Sequence, residues 1–115
     1  MGMFDSVSHV ALNSALDGLA LRQRAIAENV ANINTPGYQA KKVAFEAELA
    51  RAVDDGTGAT TASVARSLEP TRTDGNNVNL DEETLLNVDT NLRYQLATQA
   101  VDGTFSSVRT AMRTS

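Results

Sequence analysis

The sequence predicts a mainly α fold, with long N- and C-terminal helices packing as a coiled-coil-like pair and an irregular or extended middle segment. Three observations predict it. Apolar residues recur at steps of three and four at both ends of the chain. Leu, Ile, Val and Phe make up only 26 of 115 residues, while alanine adds 17 and tryptophan is absent. From Asp54 to Asn77 the only large aliphatics are Val64 and Leu68. This composition favours slim helical seams over a thick core, and so a marginal isolated monomer. Three stretches result: an N-terminal helix in residues 1–34, a turn, short helix and irregular segment in 35–80, and a C-terminal helix in 81–115, forming one structural unit.

The first helix is expected from about Ser6 to Asn32. Leu12, Leu16, Leu19, Ile26, Val30 and Ile33 form its stripe, with Gln23 in the one polar place. That is a narrow seam suited to packing on other helices. Arg22 and Glu28 lie off it and are expected to face outward. Gly18 costs about 1 kcal/mol relative to Ala within a helix; close helix approach and a tolerated exposed glycine are equally good readings of it. The helix should stop at Thr35-Pro36-Gly37-Tyr38. Pro36 lacks an N–H and disfavours helix at Thr35, and Gly37 can take the positive φ of a type II turn. Asn29, Asn32 and Asn34 precede the break, where asparagine side chains can bond the carbonyls left unpaired by an ending helix. Such a stop fixes the direction in which the chain leaves.

In the middle, Phe45, Leu49 and Val53 suggest a short helix within residues 39–53, with Lys41 and Lys42 near its start. The stretch to Asn77 reads as an extended or poorly ordered connection with one short strand around Val64–Leu68. A loop this long inside a compact domain points to a functional or flexible segment.

The last helix is expected from Asp81 to about Met112. Asn79 and Glu82 have capping-box spacing, with Asp81 as a competing N-cap. Leu85, Val88, Leu92 and Leu96 make one stripe; Val101, Phe105, Val108 and Met112 make a second, offset by a five-residue step. That slip, with Gly103 just beyond, should twist or bend the seam.

Chemistry is sparse. His9 is the single histidine, which leaves a triad or a histidine metal site without a second member. Asp74 to Asn79 resembles a calcium loop only superficially, since Asn79 stands where the sharp-turn glycine belongs. No phosphate-cradling glycine motif occurs, and no cofactor or metal is expected. The net charge of −4 gives no footprint for nucleic acid. Cysteine is absent, so there is neither a disulfide framework nor a thiolate metal site. No run approaches the roughly 18 apolar residues of a membrane span, and no basic-then-apolar signal peptide opens the chain. No direct membrane insertion is expected.

From Leu19 to Tyr38 the residues follow an L-x6-I-A-x-N-x-A-N-x-N-T-x-G-Y pattern, with Leu19 and Ile26 as its first apolar anchors. This segment resembles the N-terminal signature of the bacterial flagellar rod, hook and hook-associated proteins. The short length, the Asp74-Gly-Asn-Asn-Val-Asn-Leu-Asp run and Asn91-Leu92-Arg93-Tyr94-Gln95 are most similar to a proximal-rod member of that family. The sister proximal-rod protein FlgC is the alternative, followed by a non-rod helical adaptor secreted by a type III apparatus. The resemblance implies a structural subunit and not an enzyme. It would be exported through the flagellar type III export apparatus without a cleaved signal peptide, and would stack helically in the periplasm through its terminal helices. It further implies contacts with copies of itself, FlgC and other rod subunits, the adaptor FliE and the MS-ring. Asn29, Asn32, Asn34, Thr35, Pro36, Gly37 and Tyr38 are then the family motif and turn. The two seams, Leu12, Leu16, Leu19, Ile26, Val30 and Ile33 with Leu85, Val88, Leu92, Leu96, Val101, Phe105 and Val108, are the expected assembly interface.

Overall fold

A computed structural model describes residues 3–114, with side chains described except at 3–5, 104–108, 111, 113 and 114. Phe105 and Val108 of the expected interface therefore lie outside the described residues. Two long helices, α1 (Met3–Ala31) and α3 (Leu80–Thr114), run antiparallel and pack together. Between them lie β1 (Lys41–Ala44), α2 (Glu46–Asp54) and β2 (Ser63–Arg66), and the whole measures 66 × 25 × 14 Å. The mainly α architecture with paired terminal helices is as the sequence predicts.

The middle segment is more ordered than its composition suggests. Lys41 and Lys42 do not begin a helix. They open β1, which pairs antiparallel with β2 in the register Lys41↔Arg66 to Ala44↔Ser63. The helix starts only at Glu46, one residue after Phe45 has turned into the core. β2 overlaps the stretch read as one short strand, starting one residue before Val64 and ending two before Leu68. The residues around it are held not by large side chains but by hydrogen bonds to α1: the Ser14 hydroxyl donates to the Gly58 carbonyl and accepts from the Thr60 N–H.

Gly18 is neither exposed nor incidental. It is buried, and the Phe45 ring lies against it so closely that a Cβ there would sit 2.6 Å from the ring. Close approach, here by the middle segment and not by a second helix, explains a glycine in the centre of α1. Leu19, Ala25, Val43 and Phe45 form the small core, with Tyr94 of α3 packed against it. Arg22, expected to point outward, instead lies over the Phe45 ring (5.0 Å) and donates to the Val43 carbonyl (2.8 Å) and to Glu46. Glu28 pairs with Lys41.

α3 runs unbroken through Gly103, so the slip in its apolar pattern does not interrupt the helix. Asn79 is its N-cap, accepting from the Glu82 N–H at 3.2 Å.

Candidate assembly site

The end of the molecule where α1 stops, β1 starts and α3 begins is built from three buried asparagines. Asn29 is 1% exposed. Its Oδ1 accepts from the Lys41 N–H (2.8 Å) and the Tyr38 hydroxyl (3.3 Å), and its Nδ2 donates to the Lys41 carbonyl (2.9 Å) and Glu83 Oε1 (3.1 Å). The side-chain amide thus stands in for a neighbouring strand along β1. Asn76 donates to the carbonyls of Asn32 and Thr35, both at 2.9 Å, and accepts from the Val78 N–H. Each of these carbonyls also accepts a backbone N–H, from Thr35 and Tyr38 respectively, so Asn76 takes up their second lone pairs and ties the exit of α1 to the segment before α3. Asn77 accepts from the Ala40 N–H (2.7 Å) and donates to the Ser67 carbonyl (3.1 Å), extending the β1–β2 ladder with a side chain.

The exit turn is of type II. Gly37 has φ +74°, and the Tyr38 N–H bonds the Thr35 carbonyl at 3.2 Å across Pro36-Gly37. The turn leans on a second one: Gly37 N–H donates to the Asp74 carbonyl (2.8 Å), and a Cβ on Gly75 would lie 3.2 Å from the Gly37 Cα. Arg72 adds a bond to the Ile33 carbonyl. Asn32 back-bonds the Glu28 carbonyl (2.8 Å), while Asn34 is exposed and takes no part in this network. Asn76, Asn77 and Glu83 belong to the junction and were not among the site residues expected from sequence. The asparagine run at 76–79 was the available signal, but only contact in three dimensions joins it to Asn29.

Electrostatics tighten the same region. Lys42 reaches Glu82 (2.7 Å) and Glu83 (3.4 Å). Those carboxylates raise its pKa above the ordinary lysine value, against the opposing effect of partial burial. Glu46 is lowered to about 2 by the Arg22 guanidinium hydrogen-bonded to it. Among the described residues no cluster of His, Asp or Glu could hold a metal ion, and no helix is long and apolar enough to cross a membrane.

The seams divide. Leu19 and Ile26 are buried, and Leu12, Leu16 and Ile33 are half-buried, but Val30 is 40% exposed. On α3 the apolar stripe faces away from α1: Leu85 is 72% exposed, and Val88, Leu92 and Leu96 are each more than half exposed. The side turned to α1 carries Glu83, Leu86, Thr90, Tyr94, Ala97 and Val101. At 100° per residue these fall within one arc, and the stripe lies roughly opposite. The Asn29–Glu83 and Gln23–Asn91 bonds fix this rotation. Glu83 Oε2 and Thr90 Oγ1, both buried on that side, have no hydrogen-bond partner. The helix therefore packs its more polar face inward and presents its aliphatic face outward.

Residues 11–39, from α1 to the start of the middle segment, match the family model described as "Flagella basal body rod protein". The chain is 32% identical over 111 residues to flagellar basal body rod protein FlgB of Escherichia coli K12, covering 77% of this chain and 80% of that one. It is 31% identical over 115 residues to FlgB of Bacillus subtilis (88% and 89% covered), and 33% over 122 residues to FlgB of Borrelia hermsii (85% and 90%). The chain belongs to the FlgB family. It is a structural subunit of the flagellar basal-body rod, and FlgC is set aside as the alternative. In this FlgB-family subunit the family match spans the Asn29 hub and the Pro36-Gly37 turn, the N-terminal part of the junction, while Asn76, Asn77 and Glu83 lie beyond it.

Proposed function

We propose that the subunit occupies the proximal end of the rod, at the junction with the MS-ring and the adaptor FliE. There it stacks helically with copies of itself and with FlgC through its terminal helices. The observation that carries this reading is the outward stripe Leu85, Val88, Leu92 and Leu96 on a helix already fixed to α1 by its other face. Burying such a side chain stabilises by roughly 1.5–3 kcal/mol. Four of them in line offer a neighbour a helix-on-helix contact that the single chain leaves unused. The rigid junction sets the angle at which that helix is presented. The subunit performs no catalysis and binds no cofactor or nucleic acid. It passes through the flagellar type III export apparatus and assembles in the periplasm without a cleaved signal peptide and without inserting in a membrane.

The test replaces Leu85 and Leu92 together with Ser in cells lacking the native copy, with Arg24→Ala, an exposed charge on α1, as control. The double variant should keep its helix content and be exported, yet fail to enter rods, and the cells should not swim. Normal rods from the double variant would remove the stripe from assembly. A tag at exposed Ala50 should label the MS-ring end of isolated rods. A label at the distal end would overturn the proximal position.

A further inference from the structure

Glu83 is buried, at 1% exposure, and its charge is only partly met. Its Oε1 accepts from Asn29 at 3.1 Å, and Lys42 lies 3.4 Å away but sits closer to Glu82, at 2.7 Å. One ammonium thus serves two carboxylates, and Glu83 Oε2 bonds nothing. A buried ion short of its counter-charge is costly. The carboxylate stands between two clefts. The one on the β1 side is lined by Lys42 together with Arg22, Lys41 and Arg93, which are already paired with Glu46, Glu28 and Asp89. The other is a groove of about 520 Å³ between α1 and α3. Its walls are Ile26, Ala27, Val30 and Ala31 of α1 and Leu80 of α3, and among the described residues lining it Glu83 alone is charged. Val30 is 40% and Leu80 50% exposed, so the chain itself leaves this groove open.

We propose that this groove receives an arginine side chain of a neighbouring chain in the rod, its stem along the aliphatic walls and its guanidinium on Glu83 Oε2. Charge and shape together select that occupant. A bare metal ion would find a single carboxylate, and no cluster of described residues could hold one. A neutral aliphatic side chain would fill the walls but seal the carboxylate further from water without a counter-charge. An arginine answers both needs. Its methylenes pack on apolar surface while the head stays charged, and its planar, weakly hydrated fork suits a buried carboxylate. Thr84 and Asn87 on the rim are exposed and free to change rotamer as the head passes to the floor. The inference rests on the rod-subunit reading above but names a different contact. The stripe from Leu85 to Leu96 supplies apolar area, whereas the groove is a charge-matched socket that selects which neighbour fits and in what register.

The test titrates the purified subunit with n-butylguanidinium, an arginine side chain without its backbone, and with n-butylurea, its neutral counterpart. The methyl resonances of Ile26, Val30 and Leu80 report binding. The cation should shift them saturably and bind about tenfold more tightly than the urea, the worth of one charge-assisted hydrogen bond. Glu83→Gln, which keeps an oxygen for Asn29, should lose that preference. Ala27→Trp, which fills the groove and leaves Glu83 in place, should abolish binding of both probes and lower rod incorporation in cells, with an unchanged circular dichroism spectrum. The absence of a saturable shift, equal affinities for the two probes, a preference that survives Glu83→Gln, or full rod incorporation by Ala27→Trp would each overturn the proposal. Leu85 and Leu92 are intact in these variants, and the groove is intact in the double serine variant, so failure of the stripe and failure of the groove are told apart.

Discussion

The junction and the outer face of α3 use opposite chemistry for opposite ends. At the junction, polar side chains are buried and satisfied: Asn29, Asn76 and Asn77 hold backbone groups from five segments, and two glycine turns lean on each other. Along α3, aliphatic side chains stand in solvent while Glu83 Oε2 and Thr90 Oγ1 are buried without partners. A network with its bonds complete specifies one geometry. An apolar stripe without a partner specifies nothing until one arrives. Within the single chain the asparagine network is paired, and the aliphatic stripe is not covered.

The comparison is broken most directly at Asn29. Asn29→Leu removes the bonds to Lys41, Tyr38 and Glu83 and leaves buried groups unpaired, at a cost of about 3–5 kcal/mol. Urea unfolding of purified protein measures it. A loss no larger than that of Leu92→Ala, which should stay within about 0.5 kcal/mol in the free subunit because it truncates an exposed side chain, would erase the distinction between the two ends. Next comes Gly18→Ala, whose methyl meets the Phe45 ring. Overpacking costs about 1–3 kcal/mol, offset by about 1 kcal/mol of helix propensity. The same unfolding assay should show a net loss, and a gain would mean that the ring shifts freely.

Gly37→Val tests the turn apart from packing. A Cβ there meets nothing within 4 Å, so the expected loss of about 1–2 kcal/mol is backbone strain alone. Far-ultraviolet circular dichroism should change little while rod incorporation falls. The smallest effect is that of acid. The Glu46 pKa is depressed in the fold, so its pairing with Arg22 stabilises above the ordinary carboxylate range, near 4.5, and is lost as pH falls toward 2. Glu46→Gln should flatten that part of the stability profile. Its partial exposure keeps the difference small.

Much of the fold was legible because it rests on local rules. The type II turn followed from Pro36-Gly37, the cap from Asn79 and the two long terminal helices from stripes of period three and four. What was not legible depends on long-range pairing. Lys41 and Lys42 sit in a strand because Asn29 and Asn77 complete its edges, and neither lies next to it in sequence. Gly18 could not be resolved until Phe45 was found against it. The rotation of α3 was hidden because an apolar stripe is ordinarily read as the buried side. Here Glu83, fixed by Asn29, turns that stripe outward.

The insertion of Asn77 into the ladder also sets an order of events. Ala40 N–H and Ser67 C=O are joined through that side chain, and Asn76 ties the Asn32 and Thr35 carbonyls to the segment before α3. A chain that emerges N-terminus first therefore cannot complete this junction until about two-thirds of its length has come out. Until then the signature segment has its own turn and the local bonds of Asn29 and Asn32 but lacks the ties from Asn76 and Asn77. The last residues of the middle segment act as the clasp, and the lateness of their arrival is written into the topology.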